Sequence, residues 1–205
     1  MRTLFYFHDP MCSWCWGYRP TWQSLQSLLP SSIKVEYIVG GLAPDSDQPM
    51  PVDMAKNIQS HWRRIELELG AQFNYDFWTQ CEPRRSTYPA CRAVIAAKQQ
   101  DKEQEMIKGI QEAYYLRAMN PSNISTLIQI ANEEGLNTEL FKQDIHGAQT
   151  EEALLKEVLL AREWQVPGFP SLMLTTGESI YPIEVNYKDA AATLSQVRDK
   201  LSLSS

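Results

Sequence analysis

Apolar and polar positions follow one another along this chain with periods that change in a telling order. Leu4 to Phe7 is a short apolar run closed by Asp9-Pro10, the pattern of a buried strand. From Cys15 to Leu29 the apolar residues Trp22, Leu25, Leu28 and Leu29 recur at helical spacing until Pro30 stops them. Ile33, Val35, Tyr37 and Val39 then alternate as a second strand, which Gly40-Gly41 ends. A strand, a helix and a strand within about 40 residues predict a right-handed βαβ unit with parallel strands.

From Val52 to Trp164 the periodicity is helical throughout. Met54, Ile58, Trp62, Ile65 and Leu69 share one face before Gly70. Thr87 is placed to cap a helix with Pro89 in its first turn. Met106, Ile107, Ile110, Ala113 and Tyr114 make another face, stopped by Asn120-Pro121. Ser122 is placed to cap the next helix, which ends at Gly135, and Thr150 the last. After Pro167-Gly168-Phe169-Pro170, two short strands flank Thr176-Gly177-Glu178. Asn186 is then placed to cap a final helix carrying Ala190, Leu194, Val197 and Leu201. The order is βαβ, a helical block, then ββα, with no repeat and no flexible linker. The block is therefore expected to pack on the rest.

Composition narrows the class. The 205 residues are 43% hydrophobic, with a net charge of −6. That length suits one large domain, or a small one carrying an insertion, and needs no disulfide framework. No cluster of Lys and Arg offers a footprint for nucleic acid. The longest unbroken apolar run, Ala93 to Ala97, falls far short of the roughly 20 residues a membrane helix requires. Met1-Arg2-Thr3 leads directly into the four apolar residues Leu4 to Phe7, too few for a secretory signal. The expectation is a cytoplasmic protein, with no membrane partner, whose thiols rest reduced.

The chemistry concentrates in Cys12-Ser13-Trp14-Cys15, which follows the first strand and opens the first helix. There Cys12 meets the unpaired N–H groups and positive dipole end of the helix, which stabilise a thiolate. Cys15, one turn on, is spaced to attack a mixed disulfide at Cys12. The same pattern is half of a zinc site, but no second pair of ligands follows at zinc spacing. An inert buried cysteine pair is the remaining reading. Far away in sequence, Pro170 opens a strand. A cis bond there would turn the backbone of Phe169 outward to pair with an extended substrate, whereas a loop proline would do nothing of the kind.

Three segments carry a family resemblance: Asp9-Pro10-Met11-Cys12-Ser13-Trp14-Cys15-Trp16-Gly17, Ala131-Asn132-Glu133-Glu134-Gly135-Leu136 and Val166-Pro167-Gly168-Phe169-Pro170. With the element order, they resemble the DsbA-like branch of the thioredoxin superfamily, and within it cytosolic predicted protein-disulfide isomerases and FrnE-like proteins. The resemblance covers essentially the whole chain. It implies an α/β thioredoxin-like fold in two parts, 1–45 and 165–205, with a helical insertion over 46–164. It also implies that Cys12 is the exposed nucleophile, Cys15 the resolving thiol and Pro170 a cis-proline.

The chain departs from its relatives in several places. Tyr6 stands where they often bury an acid, leaving His8 or Asp9 as substitutes, although Asp9 is equally a turn residue. Ser13-Trp14 matches neither the Pro-His nor the Gly-Pro dipeptide of better-known branches. Phe169 is bulkier than the usual residue before the proline. Trp14 is placed as an apolar rim for substrate, while Trp16 and Trp22 suit the core. Cys81 and Cys91, near Arg84, Arg85 and Arg92, are either a relay pair, with Cys91 a second reactive thiol, or two scattered cysteines.

The expected activity is thiol–disulfide exchange on protein or low-molecular-weight disulfides, served by a thiol reducing system, with no metal or organic cofactor. The rivals are a glutathione-dependent isomerase or transferase of the kappa type, against which Cys15 argues, and a non-catalytic peptide-binding holdase.

Overall fold

The computed structural model describes residues 2–202. β1 (Arg2–His8), α1 (Ser13–Leu28) and β2 (Ile33–Val39) form the expected βαβ unit. β3 (Ser171–Thr176), β4 (Ser179–Ile183) and α9 (Ala190–Ser202) complete the sheet and cover it. Between the two halves run α2 (Val52–Leu69), α3 (Phe77–Gln80), α4 (Tyr88–Lys98), α5 (Glu103–Leu116), α6 (Ile124–Glu133), α7 (Thr138–Asp144) and α8 (Ala148–Glu163).

The strands lie in the order β2-β1-β3-β4. β1 pairs parallel with β2 and antiparallel with β3, so Tyr6 stands opposite both Tyr37 and Leu172. Both faces of β1 are covered, which is why its sequence is continuously apolar rather than alternating. Leu4 and Tyr6 enter the main core with Tyr18, Trp22 and Leu25 of α1, Leu194 and Val197 of α9, and helices of the insertion. Phe5 and Phe7 face the other way, toward Ile38, Met173, Ala161 and Trp164. A third cluster, built on Trp62, Phe77, Tyr114 and Tyr115, belongs to the insertion and reaches Met11 beside the first cysteine.

Four expected helix caps turn out otherwise. The Thr87 hydroxyl donates to Asp9 Oδ2 at 2.7 Å instead of capping α4. Ser122 donates to the Ser86 carbonyl, and the residue at the start of α6 is Asn123. Thr150 lies inside α8, whose cap position is Gly147. Asn186 instead accepts from the N–H groups of Lys188 and Asp189, and Asp189 in turn accepts from Ala191 and Ala192 at the start of α9. In the first three, the side chain expected as a cap lies in the interior, where a tertiary partner takes its bond.

Candidate active site

Cys12 occupies the cap position of α1 in an extended conformation, φ −81° and ψ 117°. Its N–H donates to the Asp9 carbonyl at 2.9 Å and its carbonyl accepts from Trp16 N–H at 3.1 Å. Cys12 thus sits at the open end of the helix, where backbone donors are unpaired. It is more covered than the resemblance implied: 7% of its surface is exposed, against 1% for Cys15. Its thiol donates to the Phe169 carbonyl, with Sγ and O 3.3 Å apart. That carbonyl therefore does not point free toward a substrate while Cys12 is a thiol. Burial pushes the Cys15 thiol well up, and the neighbouring Cys12 adds to the effect.

The loop that carries Cys12 is clamped from below by Asp9, itself completely buried. Asp9 Oδ1 accepts from Met11 N–H at 2.8 Å. Oδ2 accepts from Leu42 N–H at 2.8 Å and the Thr87 hydroxyl at 2.7 Å, with the Cys91 thiol 3.6 Å away. Burial raises this carboxyl above its ordinary value, and the donors offset only part of that rise. From the insertion, the buried Tyr115 hydroxyl donates to the Met11 carbonyl at 2.7 Å. Both ends of the Met11–Cys12 peptide are thereby fixed, by Tyr115 on one side and the Asp9 carbonyl on the other.

The Phe169–Pro170 peptide bond is cis. Phe169 is seated over Gly40: a Cβ on Gly40 would lie 1.8 Å from its ring. Only a glycine leaves that space, so Gly40 does more than end β2. Trp14 lies half-buried, edge-on to Tyr187 and beneath the Arg64 guanidinium. Trp16 stacks on Tyr115 and Trp22 is core, stacked on Tyr6.

Of the groups near the resolving position, Tyr6 is driven well above its usual range by burial first and by both cysteines next. His8 is lowered to about 3, chiefly by burial, and neither ring nitrogen finds a partner. It is a neutral imidazole near pH 7. Cys91 is fully buried, and burial first and Asp9 next push its thiol well up. Cys81 instead donates to the Ala118 carbonyl, and both are free thiols. Among the described residues, no three His, Cys, Asp or Glu side chains gather as a metal site would require.

Two cavities flank the dithiol. A cleft of about 220 Å³ is lined by Cys12, Trp14 and Phe169 together with His61, Arg84 and Arg85. Sequence reasoning placed the two arginines beside Cys81 and Cys91 and gave no sign that they border Cys12. On the other side, a cavity of about 720 Å³ reaches Cys15 and Tyr6, with Trp22, Tyr37 and Gln111 along its wall.

A family model described as thioredoxin matches residues 5–191. Curated relatives include the ClpXP adapter protein SpxH of Halalkalibacterium halodurans, 24% identical over 176 residues, covering 83% of this chain and 57% of the relative. The SpxH of Bacillus subtilis is 24% identical over 172 residues, covering 82% and 56%. The chain thus spans little more than half the length of these relatives. Among solved structures, a presumed protein disulfide isomerase from Nitrosomonas europaea superposes with a TM-score of 0.88, at 23% identity over 100% of this chain and 99% of that one. The cytosolic disulfide reductase DsbM from Pseudomonas aeruginosa gives 0.80, at 23% identity over 98% and 99%. These likenesses show the fold: a thioredoxin-like sheet carrying a helical insertion.

Proposed function

The chain belongs to the thioredoxin family, and from that premise we propose that it is a thiol–disulfide oxidoreductase working through Cys12 and Cys15 as a reductase or isomerase. The observation that carries this reading is the pair itself: Cys12 at the open end of α1, bordering a cleft, and Cys15 buried one turn behind it. The Cys12 thiolate attacks a substrate disulfide; one substrate sulfur leaves as a thiolate and the other stays bonded to Cys12. Cys15 gives up its proton, attacks Cys12 and releases the second substrate thiol. Two electrons have passed to substrate, and a cytoplasmic thiol reducing system restores the dithiol.

Burial of Cys15 makes its deprotonation the harder half of the cycle, since Tyr6 is no base near pH 7. The rear cavity gives that proton an outlet toward solvent. Trp14 and Phe169 border the cleft and form the substrate-facing rim in this reading, while Pro170 is buried and follows Phe169 through the cis bond. The solved neighbours named as disulfide reductase and isomerase support the same chemistry.

The test is trapping. Cys15→Ser should accumulate mixed disulfides with an added disulfide-bonded protein such as insulin, whereas Cys12→Ser should accumulate none. Trapping by Cys12→Ser alone inverts the two roles. A second reading, favoured by the curated relatives' name, is an adapter that binds a protein partner without redox turnover. A Cys12→Ser/Cys15→Ser variant separates the two, because an adapter keeps its partner and an exchange enzyme loses its activity.

A further inference from the structure

The cleft beside Cys12 has an uneven charge. His61, Arg84 and Arg85 line it, and among its lining residues there is no carboxylate, although the chain as a whole carries −6. Of the other eight arginines, Arg19, Arg64, Arg92 and Arg117 each meet an acidic side chain. Arg84 instead donates to the Ser122 carbonyl at 2.9 Å and to Asn123 Oδ1 at 2.6 Å, both neutral acceptors. Its Nε is buried without a partner. Arg85 is exposed, and no ion pair is found for it among the described residues. Asp9 bonds to the cleft residue Thr87, but its carboxylate is fully buried and turned onto its own donors. Two guanidinium groups with no ion pair among the described residues therefore line the cleft that holds the nucleophile, against a wall that includes Met50 and Ile58.

The cleft, at about 220 Å³, is smaller than the roughly 300 Å³ at which whole-ligand pockets begin. It has room for the groups next to a disulfide rather than for an entire large ligand. We propose that it selects anionic reaction partners for Cys12, namely disulfides whose sulfur is flanked by carboxylates, with Arg84 and Arg85 as the specificity-determining residues. The proposal rests on Cys12 being the nucleophile. The arginines take no part in the exchange of electrons; they hold the carboxylate, by the charge-assisted pairing that guanidinium groups make, while Cys12 attacks the neighbouring sulfur. A small dicarboxylic disulfide and a disulfide within an acidic peptide offer the same chemistry.

Alkylation reads the cleft without needing turnover. Iodoacetate and iodoacetamide react with the same thiolate by the same displacement of iodide, and differ in charge. Their rate ratio at Cys12, followed by mass spectrometry of that cysteine, cancels any change in thiolate population. Arg85→Gln should lower the iodoacetate-to-iodoacetamide ratio about two- to fivefold, the size of one exposed charge contact. Arg85→Lys should restore most of it, and added salt should erode it in the native protein. Arg84→Gln should act in the same direction, but Arg84 also ties down the start of α6, so Arg85 carries the decision.

Reduction of 3,3′-dithiodipropionate should likewise fall relative to bis(2-hydroxyethyl) disulfide in Arg85→Gln. Cystine-bridged peptides with Glu or Lys flanks then distinguish a peptide source from a small molecule. A ratio indifferent to Arg85→Gln and to salt overturns the proposal. A ratio that shifts as expected while no disulfide is reduced at all upholds the cleft's preference and removes the oxidoreductase reading instead.

Discussion

Replacing Asp9 withdraws one acceptor from three segments at once. Asp9→Ala leaves the N–H groups of Met11 and Leu42 and the Thr87 hydroxyl without the oxygen they now reach at 2.7–2.8 Å. An unsatisfied buried donor costs about 1–3 kcal/mol. The two N–H groups are only partly buried and recover some of this from water, and Thr87 already lies 3.4 Å from the Ala43 carbonyl. The sum is therefore about 3–5 kcal/mol, at the lower end for each donor. Asp9→Asn keeps one acceptor oxygen but must turn its NH₂ toward a donor, which costs about 1–2 kcal/mol.

For a chain of this length each kcal/mol moves Tm by about 2–4 °C, so the alanine variant should melt on the order of 10 °C lower and the asparagine variant only a few degrees lower. pH supplies an independent check. Burial raises the Asp9 carboxyl in the fold above its unfolded value, so the folded state favours the protonated form. That contribution is fully present below the unfolded value and is lost as pH rises through the folded one. Asp9→Asn should lack this decline. Thermal and urea unfolding across pH measure both effects. If Asp9→Ala melts within 2 °C or so of the native protein, the carboxylate is not the clamp described above.

Other substitutions probe separate contacts. Gly40→Ala drives a Cβ into the Phe169 ring; unfolding should show a loss of about 1–3 kcal/mol, and alkylation of Cys12 should change as its carbonyl partner shifts. Unaltered stability and alkylation together would mean that the ring is not fixed there. Tyr115→Phe removes the buried bond to the Met11 carbonyl and should cost about 1–2 kcal/mol by urea unfolding; a neutral variant would show the aromatic packing alone holds that loop. Glu157, raised to about 7 chiefly by burial while accepting Val39 N–H at 2.7 Å, is also favoured protonated. Its contribution is present below about pH 4.3 and lost as pH climbs through 7. Glu157→Gln keeps the bond without the charge and should gain about 1–2 kcal/mol over the native protein at pH 8, with no gain at pH 4; an equal difference at both values argues against a titrating Glu157.

The sequence alone determined what depends on near neighbours. The βαβ and ββα halves, and the helical character between them, follow from apolar periods of two and 3.6, which repeat within a few residues. The Cys12–Cys15 spacing on the first turn of α1 was legible for the same reason, since a helix start is a local event. The continuous apolar run Leu4 to Phe7 announced a buried strand, and β1 is covered on both faces.

What the tertiary structure decided is which distant side chains meet. Thr87, Ser122 and Thr150 had the right chemistry for caps, but the insertion carries their side chains into the interior, where Asp9, the Ser86 carbonyl and Gln99 take their hydrogen bonds. Asp9 read as either a substitute acid or a turn residue, and its role in holding two distant segments was hidden because its donors lie 33 and 78 positions away, at Leu42 and Thr87. Gly40 read as a strand end, and only the return of the chain at Phe169 shows that its missing Cβ is the seat of an aromatic ring. Arg84 and Arg85 read as neighbours of Cys81 and Cys91; Arg84 does share a pocket with Cys81, and folding also sets both arginines on the cleft that Cys12 lines. A hydrogen bond or an ion pair needs a partner within about 3–4 Å, and linear spacing fixes that distance only inside one element. Between elements it is set by how the insertion packs against the sheet.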